Sequence, residues 1–177
     1  MMIVELDGTE SEVSELIKRV EEIAKENKCS SVKRSKSDEE RSKFWTGRKA
    51  AFPACAELAP DYMCMDGSIP RGKLAEVLKE IQKLSVKYNL PVANAFHAGD
   101  GNLHPLIMFD ANDPDQLRRT EEFGAEILKY CVKVGGALTG EHGVGIEKRE
   151  LMCEAFNNTD IKQQLNIKIA LDPNSLL

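Results

Sequence analysis

The chain has 177 residues, with 24 Lys and Arg against 29 Asp and Glu, and a formal net charge of −5 at neutral pH. This length suits one domain with its own core, so we predict a single domain over residues 1–177. The mixed acidic charge argues against a nucleic-acid surface, and the lack of a long apolar run or signal-peptide pattern predicts a cytoplasmic protein without a transmembrane segment.

The first part of the chain combines two strand candidates with two predicted helices. Residues 2–6 and 31–35 are the candidate strands. Apolar residues at helical spacing predict an amphipathic helix over residues 10–27. A serine followed by acidic residues predicts a second, capped helix that starts at Ser37 and runs towards Phe52.

The remaining elements alternate along the second part of the chain. They are a strand over residues 62–65, a helix over 70–86, a β-hairpin over 92–110, and helices over 113–134 and 159–170. This order predicts an α+β fold, in which helices cover one face of an antiparallel sheet. Two ferredoxin-like halves fit the same order.

Two of the three histidines flank the polar turn of the predicted hairpin. The segment NAFHAGDGNLHP, residues 94–105, places His97 and His104 on either side of that turn. Opposed Cβ atoms on paired strands lie roughly 5 Å apart, which lets two imidazoles share a metal ion. Alternatively, His97 and His104 are two polar residues whose hydrogen bonds are satisfied within the hairpin. The third histidine, however, lies in another glycine-rich segment, which favours a shared site. We therefore predict a metal site here.

The second glycine-rich segment presents a carboxylate beside an imidazole. It reads GGALTGEHGVG over residues 135–145 and contains Glu141 and His142. Glycines let a backbone approach a ligand closely, and two histidines with one carboxylate leave an open coordination position. We predict Glu141 as the third ligand and His142 as a free acid or base. Neither glycine segment has the order of a dinucleotide or phosphate loop.

These two segments resemble the carboxy-terminal domain of FAD-linked 2-hydroxy acid oxidases and dehydrogenases. This family, of the glycolate oxidase and D-lactate dehydrogenase type, belongs to the vanillyl-alcohol oxidase superfamily. The resemblance extends to FWTGR over residues 44–48, DGSIPR over 66–71 and IKIALDP over 167–173. It covers nearly the whole chain, but the family's flavin-binding domain has no counterpart in it.

The resemblance implies an oxidoreductase that converts a small 2-hydroxy acid to the 2-oxo acid. FAD would come from a flavin-binding domain or subunit outside this chain, so the chain alone would not turn over substrate. The resemblance also implies a divalent ion, Zn, Mn, Fe or Co, on His97, His104 and Glu141. His142 would then be the catalytic base.

Further contacts are implied by the same resemblance. A surface arginine is ordinarily solvated, but the family places a substrate-carboxylate ligand at Arg48, a task suited to a bidentate guanidinium. Lys148 is a second candidate for that anion. Asn102 would lie near substrate and flavin, and Gly140 near the flavin.

A protein of this family would need partners that carry electrons. The resemblance implies an iron–sulfur partner subunit in glycolate oxidase complexes and a quinone or cytochrome acceptor in lactate enzymes. Two other classes remain open. One is a metal-dependent hydrolase in which the same ion activates water. The other is a non-catalytic module that keeps the fold for subunit association.

Overall fold

Contacts divide the chain into two compact units, Met1–Ala51 and Phe52–Leu177. A computed structural model describes residues 1–176. The predicted single domain stays a prediction, because a division by contacts does not show whether either unit folds alone. Among residues 1–176, none of the helices combines the length and apolar composition that a membrane crossing requires.

Two helices make up the first unit. Helix α1 spans Glu10–Glu26 and helix α2 spans Asp38–Lys49. Thr9 begins α1 with a capping box, in which the Thr9 and Glu12 side chains accept hydrogen bonds from each other's backbone N–H groups. Both predicted helices are confirmed, and Ser37 caps the second one.

The strands predicted over residues 2–6 and 31–35 are wrong. Neither segment has regular secondary structure, and residues 1–51 contain no strand at all. A short segment with alternating apolar residues becomes a strand only when a neighbouring strand forms hydrogen bonds with its backbone N–H and C=O groups. The first unit offers no such neighbour.

Antiparallel sheets form the centre of the second unit. The strands are β1 (Asp61–Cys64), β2 (Gly67–Ser68), β3 (Val92–Asn94), β4 (Asn102–Leu103) and β5 (Pro105–Phe109). Three of them pair in the order β1-β5-β3, and β2 pairs separately with β4. The remaining helices are α3 (Ala51–Cys55), α4 (Leu74–Tyr88), α5 (Pro114–Lys133), α6 (Met152–Ala155) and α7 (Asn158–Leu171).

The α+β class with antiparallel pairing is confirmed. The order β1-α4-β3-β5-α5 supplies five of the six elements of a ferredoxin-like unit. The predicted hairpin is the β3–β5 pair, in which Val92 lies opposite Ile107. Helices α3 and α6 were not predicted, because segments of five and four residues are too short for a helical period to be seen.

Strand β5 separates two apolar clusters, because its side chains alternate between the two faces of the sheet. Ile107 and Phe109 belong to the larger cluster, to which α4 and α5 contribute. Leu106 and Met108 contact the smaller cluster around Cys55 of α3. Helices α4 and α5 therefore cover one face as predicted, and the short α3 contributes to the other.

Gly136 lies where the chain returns to β2 after α5. Its neighbour Ala137 pairs with Ser68 by two backbone hydrogen bonds. A Cβ atom on Gly136 would overlap the carbonyl oxygen of Ser68 and lie 2.8 Å from that of Cys131. Both are backbone atoms held by their own pairing, so this position has no room for a side chain.

Gly136→Ala should lower the free energy of unfolding by about 1–3 kcal/mol, the usual cost of forcing a group into filled space. Gly72→Ala is the matched control, since no described atom lies within 4 Å of a Cβ there. Urea unfolding followed by circular dichroism measures both variants. Equal midpoints for the two variants would contradict this account.

Candidate metal centre

Three segments of the second unit meet at the predicted site. Asp66 lies between β1 and β2, and His104 lies between β4 and β5. Cys64 pairs with Leu106 in one sheet and Gly67 with Leu103 in the other, so the two registers bring Asp66 next to His104. The loop of residues 139–142 is the third segment.

Asp66 is fully buried and binds this loop. Its carboxylate accepts hydrogen bonds from the Thr139 hydroxyl, from the backbone amides of Gly140, Glu141 and His142, and from the Lys148 ammonium, at 2.5–3.2 Å. The Lys148 Nζ also donates to the Asp66 carbonyl oxygen at 2.7 Å. One carboxylate thus binds groups of residues 139–148, which lie more than 70 residues further along the chain.

Asp66 is ionised at neutral pH despite its burial. Burial alone would raise the pKa of Asp66, but the hydrogen bonds from Thr139, from the backbone of His142 and Glu141, and from Lys148 outweigh it. They hold the pKa of this carboxyl well below its usual range. The buried Lys148 supplies the compensating charge. Its expected contact with substrate stays a prediction.

His104 is buried beside the exposed Glu141. The His104 Nε2 lies 2.9 Å from the Glu141 Oε1 and 3.7 Å from the Asp66 Oδ1. Even so, neither ring nitrogen has a hydrogen-bond partner of acceptable geometry within residues 1–176. Buried polar atoms without partners are costly. A cation between the His104 Nε2 and the Glu141 carboxylate would satisfy that nitrogen, so these residues fit a metal ion.

The other two histidines pack against His104. The His142 ring stacks on it with centroids 5.1 Å apart and planes at 11°. The His97 ring lies edge-on, with centroids 5.6 Å apart. His97 pairs with Asn102 rather than with His104, because its carbonyl closes a tight turn by accepting from the amides of residues 100 and 101.

Four side chains come within metal-ligand reach of one another. One donor atom from each of Asp66, His104, Glu141 and His142 lies within 4.8 Å of the other three. His104 and Glu141 were predicted as ligands, and His142 as the base. His97 lies outside this cluster, although its ring packs on His104. Sequence reasoning gave Asp66 no role, although it is a lone acid after an apolar stretch and opens the DGSIPR motif.

Asn102 and Gly140 fit closely together beside the cluster. Asn102 is buried, and its Oδ1 has no partner in the part of the chain that the structure describes. A Cβ atom on Gly140 would overlap this oxygen and lie 2.9 Å from the Asp66 Oδ1. Close packing thus accounts for this glycine. The expected substrate and flavin contacts of Asn102 and Gly140 stay predictions.

Arg48 belongs to the first unit, in the last turn of α2. It follows Trp45 by three residues, so the two side chains share one helix face. Its expected contact with a substrate carboxylate stays a prediction.

Comparison with known proteins identifies the family. The family model described as "FAD linked oxidases, C-terminal domain" matches residues 1–177. The chain belongs to this family. The resemblance inferred from the sequence motifs is therefore confirmed.

Named relatives of this FAD-linked oxidase domain are longer than the chain. It is 50% identical over 177 residues to glycolate oxidase subunit GlcD of Escherichia coli (strain K12), covering 100% of the chain and 36% of that protein. Identity to Bacillus subtilis GlcD is 32%, covering 100% and 38%. A probable mitochondrial D-lactate dehydrogenase of Danio rerio is 30% identical, covering 99% and 36%. The chain thus spans little more than a third of these relatives.

His104 should stay neutral at neutral pH, with a lone pair free for a cation. Burial lowers the pKa of His104 from its ordinary value of 6.5, and the Glu141 carboxylate opposes this only in part. The unfolded chain therefore takes up this proton at higher pH than the folded chain. As a result, stability falls as the pH drops below 6.5 and approaches the folded pKa.

An NMR titration of the metal-free chain measures this directly. The His104 Hε1 signal should have a midpoint below 6.5. Glu141→Gln should lower the midpoint further, whereas Glu150→Gln, which changes an exposed acid outside the cluster, should leave it unchanged. A His104 midpoint at or above 6.5 would contradict the burial argument.

Proposed function

We propose that this chain is the substrate- and metal-binding part of an FAD-dependent 2-hydroxy acid dehydrogenase or oxidase. The observation that carries the proposal is the meeting of His104, Glu141 and His142 around a buried carboxylate in an FAD-linked oxidase domain. Relatives named as a glycolate oxidase subunit and as D-lactate dehydrogenases support glycolate or D-lactate as the substrate type. The product would be the 2-oxo acid.

A divalent ion, Zn, Mn, Fe or Co, would be held by His97, His104 and Glu141. The unpartnered ring nitrogens of His104 and the adjacent Glu141 carboxylate support this ligand set. His97 is exposed, so a change of side-chain rotamer could bring it to the same ion. When bound, such an ion supplies positive charge next to the 2-hydroxyl oxygen of the substrate.

His142 would accept the 2-hydroxyl proton at Nε2. Its side chain is 49% exposed, so a substrate can reach it. The stack on buried His104 limits the orientation of the ring. An imidazole is suited to this proton transfer, because a ring nitrogen can accept a proton from a hydroxyl. FAD in a flavin-binding domain or subunit supplies the electron acceptor.

The remaining contacts position the substrate. The Arg48 guanidinium would bind the carboxylate through two parallel hydrogen bonds, and Lys148 is a second candidate for that anion. The unpartnered Asn102 Oδ1 would accept a hydrogen bond from substrate or flavin, with Gly140 beside it. We also propose a cytoplasmic location and, for a glycolate oxidase complex, an iron–sulfur partner subunit.

The chain should bind about one divalent ion, a stoichiometry expected from a single ligand set. His104→Ala should weaken Zn²⁺ binding by at least about tenfold, because it removes one of the three proposed metal ligands. His97→Ala should weaken it as well. Asp100→Asn, an exposed acid in the same turn, is the control and should keep the affinity. Isothermal titration with Zn²⁺ measures all four proteins.

Unchanged affinity in both histidine variants would contradict this ligand set. Ester or amide hydrolysis by the Zn²⁺-loaded chain alone would instead favour the hydrolase alternative.

Substitutions of Glu141 and of His142 should separate metal binding from proton transfer. In the enzyme assembled with its flavin domain, His142→Ala should keep the ion and slow flavin reduction by roughly 10²–10⁴-fold, because the hydroxyl proton loses its acceptor. Glu141→Ala should lose both the ion and flavin reduction. Anaerobic stopped-flow reduction with glycolate or D-lactate, with metal analysis of the same samples, measures the two effects.

Near-normal flavin reduction in His142→Ala would exclude this residue as the base. Loss of the ion in that variant would make His142 a ligand.

A further inference from the structure

We infer that Asp66 is a positioning residue of this site, holding residues 139–142 in the conformation that presents Glu141 and His142 to His104. The inference rests on the proposed function, because it assigns a further residue to the same site.

The backbone of the loop is wrapped around the Asp66 carboxylate. The amides of three consecutive residues, Gly140, Glu141 and His142, all donate to it at 3.0–3.2 Å. Successive N–H groups that converge on one anion form a concave turn. Because the amides point inwards, the Glu141 and His142 side chains project outwards, where both are half exposed.

The Thr139 hydroxyl joins the carboxylate to the other end of the loop. It donates to the Asp66 Oδ2 at 2.5 Å and accepts from the Gly143 amide at 2.8 Å. The loop is therefore closed on itself as well as on Asp66.

Asp66 also sets the distance from this loop to His104. Its Oδ2 accepts from the Thr139 hydroxyl, from three loop amides, of which that of Glu141 is shared with Oδ1, and from the Lys148 ammonium. That number of donors exceeds the lone pairs of one oxygen, so Oδ2 is not free to bind a cation. Its Oδ1 faces the His104 Nε2 at 3.7 Å. The hydrogen bonds to Oδ2 therefore assign Asp66 a role in supporting the site.

The buried pair with Lys148 lets the carboxylate remain charged at this place. Lys148 precedes a short 3-10 helix, Arg149–Leu151. Its Nζ donates to both the carboxylate and the carbonyl oxygen of Asp66. Ionised acceptors make hydrogen bonds about twice as strong as neutral ones. The fit of Gly140 against Asn102 leaves the loop little space to shift.

A purely structural ion pair would stabilise the fold without affecting the site of the folded protein. The two roles are separated by measurements on folded protein. Asp66→Asn removes the charge and places an amide donor against the backbone donors of the loop. Asp113→Asn is the matched control, because Asp113 also accepts two backbone amides, at the start of α5.

Amide hydrogen exchange of the complete, metal-free chain is the first measurement. In Asp66→Asn, the Gly140, Glu141 and His142 amides should exchange at least about tenfold faster, while the amides of β5 keep their protection. Asp113→Asn should leave the loop amides unchanged. Unchanged protection of the loop in folded Asp66→Asn would overturn the inference.

Titration with Co²⁺ alone, followed by its visible absorption bands, is the second measurement. Asp66→Asn should weaken Co²⁺ binding about tenfold or more, the usual effect of losing a residue that orients a ligand. Thr139→Val should weaken it in the same direction and Thr139→Ser should restore it, because serine keeps the hydroxyl. Equal affinities of the two Thr139 variants would overturn the inference.

The outcomes separate this inference from the proposed function. If the unsubstituted chain binds no Co²⁺, the metal proposal fails, and hydrogen exchange of the loop still decides the role of Asp66. If Asp66→Asn does not fold, hydrogen exchange in Thr139→Val and Thr139→Ser takes its place. Faster loop exchange in the valine variant alone is then the supporting result.

Discussion

A charged carboxylate without solvent contact needs donors on all sides, and this constraint on Asp66 shapes the candidate site. The donors come from the loop of residues 139–142 and from Lys148, both far along the chain. Desolvation of the carboxylate is compensated only when all of them are in place. In the observed conformation of the loop these donors reach the carboxylate, and the Glu141 and His142 side chains are half exposed.

The site joins a rigid half to an accessible half. His104 lies between β4 and the fully buried β5, so sheet register and core packing hold its ring. Glu141, His142 and His97 are exposed around it. This division suits chemistry on a small external molecule, since fixed geometry comes from the sheet and access comes from the loops.

Local sequence predicted most of the helices. Capping residues and helical spacing located α1, α2, α5 and α7, because those signals act within a few residues. Side-chain chemistry beside glycine-rich turns put forward His104, Glu141 and His142, and the structure brings these three within reach of one another. The strands over residues 2–6 and 31–35 were wrong because strand formation depends on a distant partner, which local alternation does not reveal.

By itself, the sequence determined which donors are available and which turns present them, since both depend on residue type and nearest neighbours. Only the tertiary structure decided their arrangement. The pairing of β1 with β5 and of β2 with β4 put Asp66 beside His104, and the tight turn paired His97 with Asn102. Such contacts depend on strand register and on burial across long sequence separations, so no local pattern in the chain specifies them.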